Sequence, residues 1–140
     1  MARILIIEDD DSLRGVLARS LVHGGHVAVE AADGRQGVDL FHATPIDVVV
    51  TDLVMPVQEG VETIVALRRE NPDLPIIAIS GGLTSSAVYL EIAGEIGANR
   101  ILHKPFTPAQ LLQTIADVFP GAAADTRRQG DPGRQAGPGD

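Results

Sequence analysis

Apolar residues along this chain fall into two alternating patterns. Short β-branched runs at Ile4–Ile7, Val27–Glu30, Ile46–Thr51, Ile76–Ser80 and Arg100–Leu102 each predict a strand. Between them, apolar residues recur at helical spacing. Ser12–Val22 sets Leu13, Val16, Leu17, Ser20 and Leu21 on one face, behind a candidate N-cap at Asp11. Gly34–His42 follows a second candidate cap, Asp33, and turns Val38 and Phe41 inward. Val61–Arg69 carries Ile64, Val65 and Leu67 and stops before Asn71-Pro72. Ser85–Ile96 repeats Val88, Ile92 and Ile96. Thr107-Pro108 opens a last helix, reaching Phe119, with Leu111, Leu112, Ile115 and Phe119 facing the core. Strand and helix alternate throughout, which predicts an α/β fold: a doubly wound (βα)5 unit whose five-stranded parallel sheet is covered on both faces. Ligands of such sheets bind at the carboxyl ends of the strands.

The pattern stops at Gly121. Residues 121–140 contain no Leu, Ile, Val, Met or aromatic residue, so they cannot bury enough apolar surface to offset their ordering entropy. The expected organisation is one domain over 1–120 and a flexible Gly/Pro/Ala-rich tail over 121–140. Arg127, Arg128 and Arg134 balance Asp125, Asp131 and Asp140, so the net charge of −8 sits on the body. That charge argues against a nucleic-acid surface. The chain has no cysteine, which excludes a disulfide scaffold, a thiolate metal site and a cysteine nucleophile. No apolar run is long enough to cross a membrane, and Met1-Ala2-Arg3-Ile4 leads straight into a strand, so the expected location is cytoplasmic.

The strand ends carry the chemistry. The first strand runs into Glu8-Asp9-Asp10-Asp11, and the third ends at Asp52. If these strands are neighbours, Glu8, Asp9 and Asp52 converge. Clustered carboxylates raise one another's pKa unless a cation sits among them, and an all-oxygen donor set favours a hard ion, Mg²⁺ or Mn²⁺. The fourth strand ends at Ser80-Gly81-Gly82, and the fifth is followed by His103-Lys104-Pro105-Phe106. Singly, these are an acidic turn, a turn serine and a surface lysine. Jointly, a carboxylate, a cation site, a hydroxyl and an ammonium make a centre suited to a phosphoryl group, which needs positioning and charge neutralisation above all.

From about Ala2 to Phe119 the chain resembles the receiver domain of two-component response regulators, the chemotaxis-type fold. The resemblance rests on Ile4-Leu5-Ile6-Ile7-Glu8-Asp9-Asp10, Asp52-Leu53-Val54-Met55-Pro56, Ser80 and Lys104-Pro105-Phe106, in that order. It implies a flavodoxin-like strand order, 2-1-3-4-5. It also implies that Asp52 accepts a phosphoryl group from a phosphohistidine on a sensor histidine kinase. By the same resemblance, Mg²⁺ is held by Asp9, Asp52 and the backbone carbonyl of Val54, with Glu8 acting through water. Lys104 then pairs with a phosphoryl oxygen, Ser80 donates a hydrogen bond to another, and the Lys104-Pro105 bond is cis. Such a domain is not a dedicated enzyme, although it catalyses its own phosphorylation and dephosphorylation. Its output is a changed surface over Ser85–Ile96, Arg100–Leu102 and Pro108–Phe119, presented to an effector or to a histidine phosphotransfer protein, with neither DNA nor membrane as a direct partner.

The sequence departs from that family in three places, one of them a segment from Ser80 to Lys104 slightly longer than common, in which Gly81-Gly82 is expected to add mobility. Many members carry Tyr or Phe three residues before the lysine, where this chain has Ile101; with Ser80 it occupies the switch positions. The residues two beyond Asp52 and two beyond Ser80 are Val54 and Gly82, which offer no polar group to hydrolytic water and imply a slow loss of the phosphoryl group. His23, His26 and His42 are assigned no role, and His103 is expected to face solvent or a partner. Two alternatives stay open: a degenerate receiver that binds partners without phosphorylation, and a fragment of a longer DNA-binding regulator. An aspartyl-phosphate hydrolase would place an acid where Val54 stands, and a nucleotide- or flavin-binding protein would have a Gly-rich turn where Glu8-Asp9-Asp10-Asp11 stands.

Overall fold

A computed structural model describes residues 1–53, 57–81, 94–95 and 97–120. Its strands are β1 (Arg3–Ile7), β2 (Val27–Ala31), β3 (Val48–Asp52), β4 (Ile76–Ser80) and β5 (Arg100–His103). They form one sheet in the order β2-β1-β3-β4-β5, and every pairing is parallel. The predicted α/β class and strand order hold. Helices α1 (Asp11–His23) and α4 (Pro108–Val118) lie on one face, and α2 (Gly34–Ala43) and α3 (Val57–Glu70) on the other. Of the helix predicted over Ser85–Ile96, only Gly94 and Glu95 are among the described residues, and both are helical. The tail assigned to 121–140 lies outside them.

Strand alternation sorts the core into two layers. Ile4 and Ile6 of β1, Val48 and Val50 of β3, Ile77 and Ile79 of β4 and Leu102 of β5 pack with Leu17, Leu21, Leu111 and Ile115. Leu5, Ile7, Val49, Ile76 and Ala78 point the other way, onto Ile64 and Leu67 of α3. Both faces are covered, so the central strands read as unbroken apolar runs. No helix among the described residues is long and apolar enough to cross a membrane.

Several local expectations are corrected. Asp10, not Asp11, caps α1: its side chain accepts from Leu13 N–H at 3.0 Å, while Asp11 is the first helical residue and pairs with Arg14 at 2.6 Å. The candidate caps Asp33 and Thr107 are confirmed, and Thr107 completes a capping box with Gln110. Val16, expected inside, is 46% exposed, because the covered stripe of α1 is Leu17, Ala18 and Leu21. Leu112 and Phe119 only border the core that Leu111 and Ile115 enter. Helix α3 begins a turn earlier than Val61, and its first turn passes close to the end of β3. His26, assigned no role, is buried and takes the Ala2 N–H on Nδ1 at 3.1 Å; burial lowers its pKa.

Helix α2 rests directly on β1 through Gly37. A Cβ there would come within 2.5 Å of Ile7 Cδ1, so the helix approaches this closely only without a side chain. Gly37→Val is therefore expected to destabilise the fold by about 1–3 kcal/mol, the usual range for overpacking. Urea unfolding should show a lower midpoint at unchanged slope.

Candidate functional site

Parallel register assembles the site. Ile7 pairs with Thr51, so the residues that follow them, Glu8 and Asp52, leave the sheet side by side. Asp52 pairs with Ile79, and Ser80 with His103, which brings the ends of β4 and β5 to the same edge. Alternation then decides which side chains meet. Glu8 follows Ile4 and Ile6, Asp52 follows Val48 and Val50, and Lys104 follows Leu102, all members of the layer under α1 and α4.

Asp52 is 1% exposed, and Lys104 Nζ donates to its Oδ2 at 2.9 Å. Glu8 is equally buried at 1%. One Glu8 oxygen, Oε2, accepts from Asp10 N–H at 3.0 Å, while Oε1 is buried with no hydrogen-bond partner. Burial, reinforced by the adjoining Asp52 carboxyl, pushes the Glu8 carboxyl up to about 8. Two ionised carboxylates cannot share this space without a proton or a cation between them. The Glu8 backbone carbonyl is in turn held by Arg14 Nη1 at 2.8 Å. Arg14, in the first turn of α1, also reaches Glu30 at the end of β2, at 3.5 Å. The sequence reading missed Arg14, whose only local signal is its i,i+3 spacing from Asp11. Gly60 of α3 sits so close that a Cβ would lie 3.3 Å from the Asp52 carbonyl oxygen.

The predicted residues are thus partly assembled. Glu8, Asp52 and Lys104 meet, and Asp9 is exposed next to Glu8, whose pKa its carboxyl also raises. Among the described residues, no three acids or histidines form a ready-made metal cage, and Val54 and Gly82 lie outside those residues. Lys104-Pro105 is cis, in agreement with the resemblance. Ile101 is part of the layer under α3. Ser80 is fully buried, and its Oγ lies 2.7 Å from His103 Nδ1. That contact corrects the expectation for His103: its ring is exposed, as predicted, yet it is bound to the switch serine.

Comparison with known proteins gives this arrangement a family. The model of the response regulator receiver domain matches residues 4–116. The chain belongs to the response regulator receiver family. It is 38% identical over 111 residues to the response regulator MprA of Mycolicibacterium vanbaalenii, covering 79% of this chain and 47% of that protein. It is 34% identical over 118 residues to the probable transcriptional regulator ycf27 of Guillardia theta, covering 84% and 45% respectively. The receiver chain therefore spans about half the length of these relatives. Among solved structures, the chemotaxis protein CheY4 of Vibrio cholerae superposes with a TM-score of 0.78 at 31% identity, over 85% of this chain and 99% of that one. As a receiver of two-component signalling, the domain is a phosphorylation-activated switch module.

Within this receiver, loss of the Lys104 ammonium is also expected to cost stability. Removing the ammonium leaves the 1% exposed Asp52 carboxylate buried without its cation, while Lys104 itself is 29% exposed. Breaking a fully buried pair costs about 3–5 kcal/mol, so Lys104→Ala is expected to cost somewhat less, about 2–3 kcal/mol in urea unfolding.

Proposed function

We propose that Asp52 is the phosphoacceptor of this receiver and that its modification alters the surface offered to protein partners. The observation that carries this reading is a buried carboxylate at a strand end, with a lysine ammonium at 2.9 Å and a second carboxyl against it. An aspartate is ionised at neutral pH and can attack phosphorus without a general base. The Asp52 oxygen forms the new bond to phosphorus as the phosphohistidine nitrogen of a sensor kinase leaves with the electron pair. Lys104 is placed to neutralise a phosphoryl oxygen. The chain's own side chains thus promote its phosphorylation, and it is not a dedicated enzyme on an external substrate.

The donor chemistry fits a hard divalent cation. Glu8 Oε1 is a buried oxygen without a partner, and the carboxyl beside it belongs to Asp52. Mg²⁺ suits such a place because it keeps several waters and needs only one or two protein carboxylates. Asp52 and Asp9 would hold it, with Glu8 through water, and when bound it would offset the charge of the carboxyls and of the phosphoryl oxygens.

An apolar groove of about 300 Å³, lined by Leu13, Val16, Leu17, Pro105, Phe106 and Leu111, opens beside Lys104. It supports docking of a partner that carries the phosphohistidine, either the kinase or a histidine phosphotransfer protein. The net charge of −8 supports direct contact of this domain with protein rather than with DNA, and receipt of a phosphoryl group from a kinase phosphohistidine supports action in the cytoplasm. The test is intact mass after incubation with acetyl phosphate and Mg²⁺, expected to show one phosphoryl group per chain. An unchanged mass with acetyl phosphate and with phosphorylated kinase would overturn the reading.

A further inference from the structure

Ser80 is a fully buried hydroxyl at this strand edge that the family resemblance assigns to the phosphoryl group, yet its Oγ is bound elsewhere. Ser80 and His103 are register partners across β4 and β5. Ser80 follows Ile76 and Ala78, and His103 follows Ile101, all in the layer under α3. Asp52, Lys104 and Glu8 alternate to the opposite layer. The hydroxyl is therefore anchored on the wrong side of the sheet edge for Asp52. We propose that His103 is a positioning residue that holds Ser80 in this resting place, so that a phosphoryl group on Asp52 gains the hydroxyl only by breaking the Ser80–His103 bond. This rests on the phosphoacceptor reading above.

The physical case has three parts. A hydroxyl has one proton, and when His103 carries its own proton on Nε2, Nδ1 accepts the proton of Ser80, leaving none for a phosphoryl oxygen. When Nδ1 carries the proton instead, the same bond still fixes Oγ on the far face. Ser80 is 0% exposed, so solvent offers its hydroxyl no substitute partner, and the bond is a true competitor of the activated state. Ile101, the neighbouring switch position on that face, has no polar group with which to hold Ser80. The exposed imidazole does, and once released it is free to rearrange at the surface. The bond thus links the buried serine to the exterior of β5.

The test uses the whole chain with Mg²⁺ and beryllofluoride, a phosphoryl mimic that does not hydrolyse, titrated by NMR. His103→Ala should bind beryllofluoride about three- to tenfold more tightly than wild type, the worth of one net hydrogen bond. His103→Asn, whose side-chain oxygen can replace Nδ1 as acceptor, should restore wild-type affinity. In a Ser80→Ala background the His103→Ala effect should vanish. Equal or weaker binding by His103→Ala, or the same gain without Ser80, would overturn the proposal. The ring nitrogens of the wild-type protein give a reading that needs no His103 variant. On beryllofluoride binding, the His103 Nδ1 resonance should move to its position in Ser80→Ala, and a resonance that stays put overturns the proposal. A wild-type chain that binds no beryllofluoride and takes up no phosphoryl group would instead overturn the phosphoacceptor reading, and this one with it.

Discussion

Asp52→Asn is expected to abolish phosphoryl uptake from acetyl phosphate while the chain keeps its fold. An amide has nearly the shape of the carboxylate, and its oxygen can still accept from Lys104, which reaches Oδ2 at 2.9 Å in the wild type. It lacks the ionised oxygen that attacks phosphorus, so uptake should fall to background rather than by a modest factor. Intact mass checks this directly. A variant that still gains one phosphoryl group would move the acceptor to another residue, with the neighbouring Asp9 first in line. The substitution also removes the carboxyl that helps hold Glu8 above its ordinary range, so Glu8 should titrate lower in the variant.

The second large effect belongs to Glu8. Its carboxyl is raised from 4.5 to about 8 in the folded chain, first by burial and then by Asp52. Between those two values the folded state binds more protons than the unfolded one, so stability falls as pH rises across that window. The contribution of Glu8 is fully present below 4.5 and is lost as pH passes 8. Each pKa unit corresponds to about 1.4 kcal/mol, which makes the full swing a few kcal/mol. Glu8→Gln cannot ionise. Without divalent cation it should gain stability relative to wild type from pH 4.5 to 8 and then hold a constant lead, whereas parallel stability curves would contradict the assignment. His26 works in the other direction, since its lowered pKa makes stability fall below about pH 6.5, but it is present in both proteins and cancels in the difference. Mg²⁺ should reverse the wild-type loss. A cation at this site displaces the Glu8 proton, so its thermal stabilisation should be larger at pH 8 than at pH 6 and smaller in Glu8→Gln.

Most of the fold and half of the site are legible in the sequence, and the reasons differ. The strands and helices follow from local periodicity. Ile4–Ile7 and Ile76–Ile79 are apolar without interruption, because a sheet covered on both faces needs both parities filled. The caps at Asp33 and Thr107 are readable because a cap acts within three residues of itself. In the acidic run after β1, three aspartates compete for that role, and their types do not separate them; the direction in which the chain leaves β1 selects Asp10. The exposure of Val16 has a similar origin. Helical periodicity shows that α1 has an apolar stripe, but which edge of it is covered depends on where the sheet and α4 lie.

The chemistry divides in the same way. Glu8, Asp52, Ser80 and Lys104 could be chosen from sequence because carboxylate, hydroxyl and ammonium stand at successive strand ends, and topology carries those ends to one edge whatever the details. The contacts between them could not be chosen. That Glu8 lies against Asp52 depends on the pairing of Ile7 with Thr51, and that Ser80 binds His103 rather than facing Asp52 depends on the pairing of Ser80 with His103. Sliding either pairing by one residue would turn every side chain to the opposite face. Residue type and order are thus enough to name the groups at this edge. Which of them touch is decided by the register and parity of strands distant in the chain, where no local pattern of residues reaches.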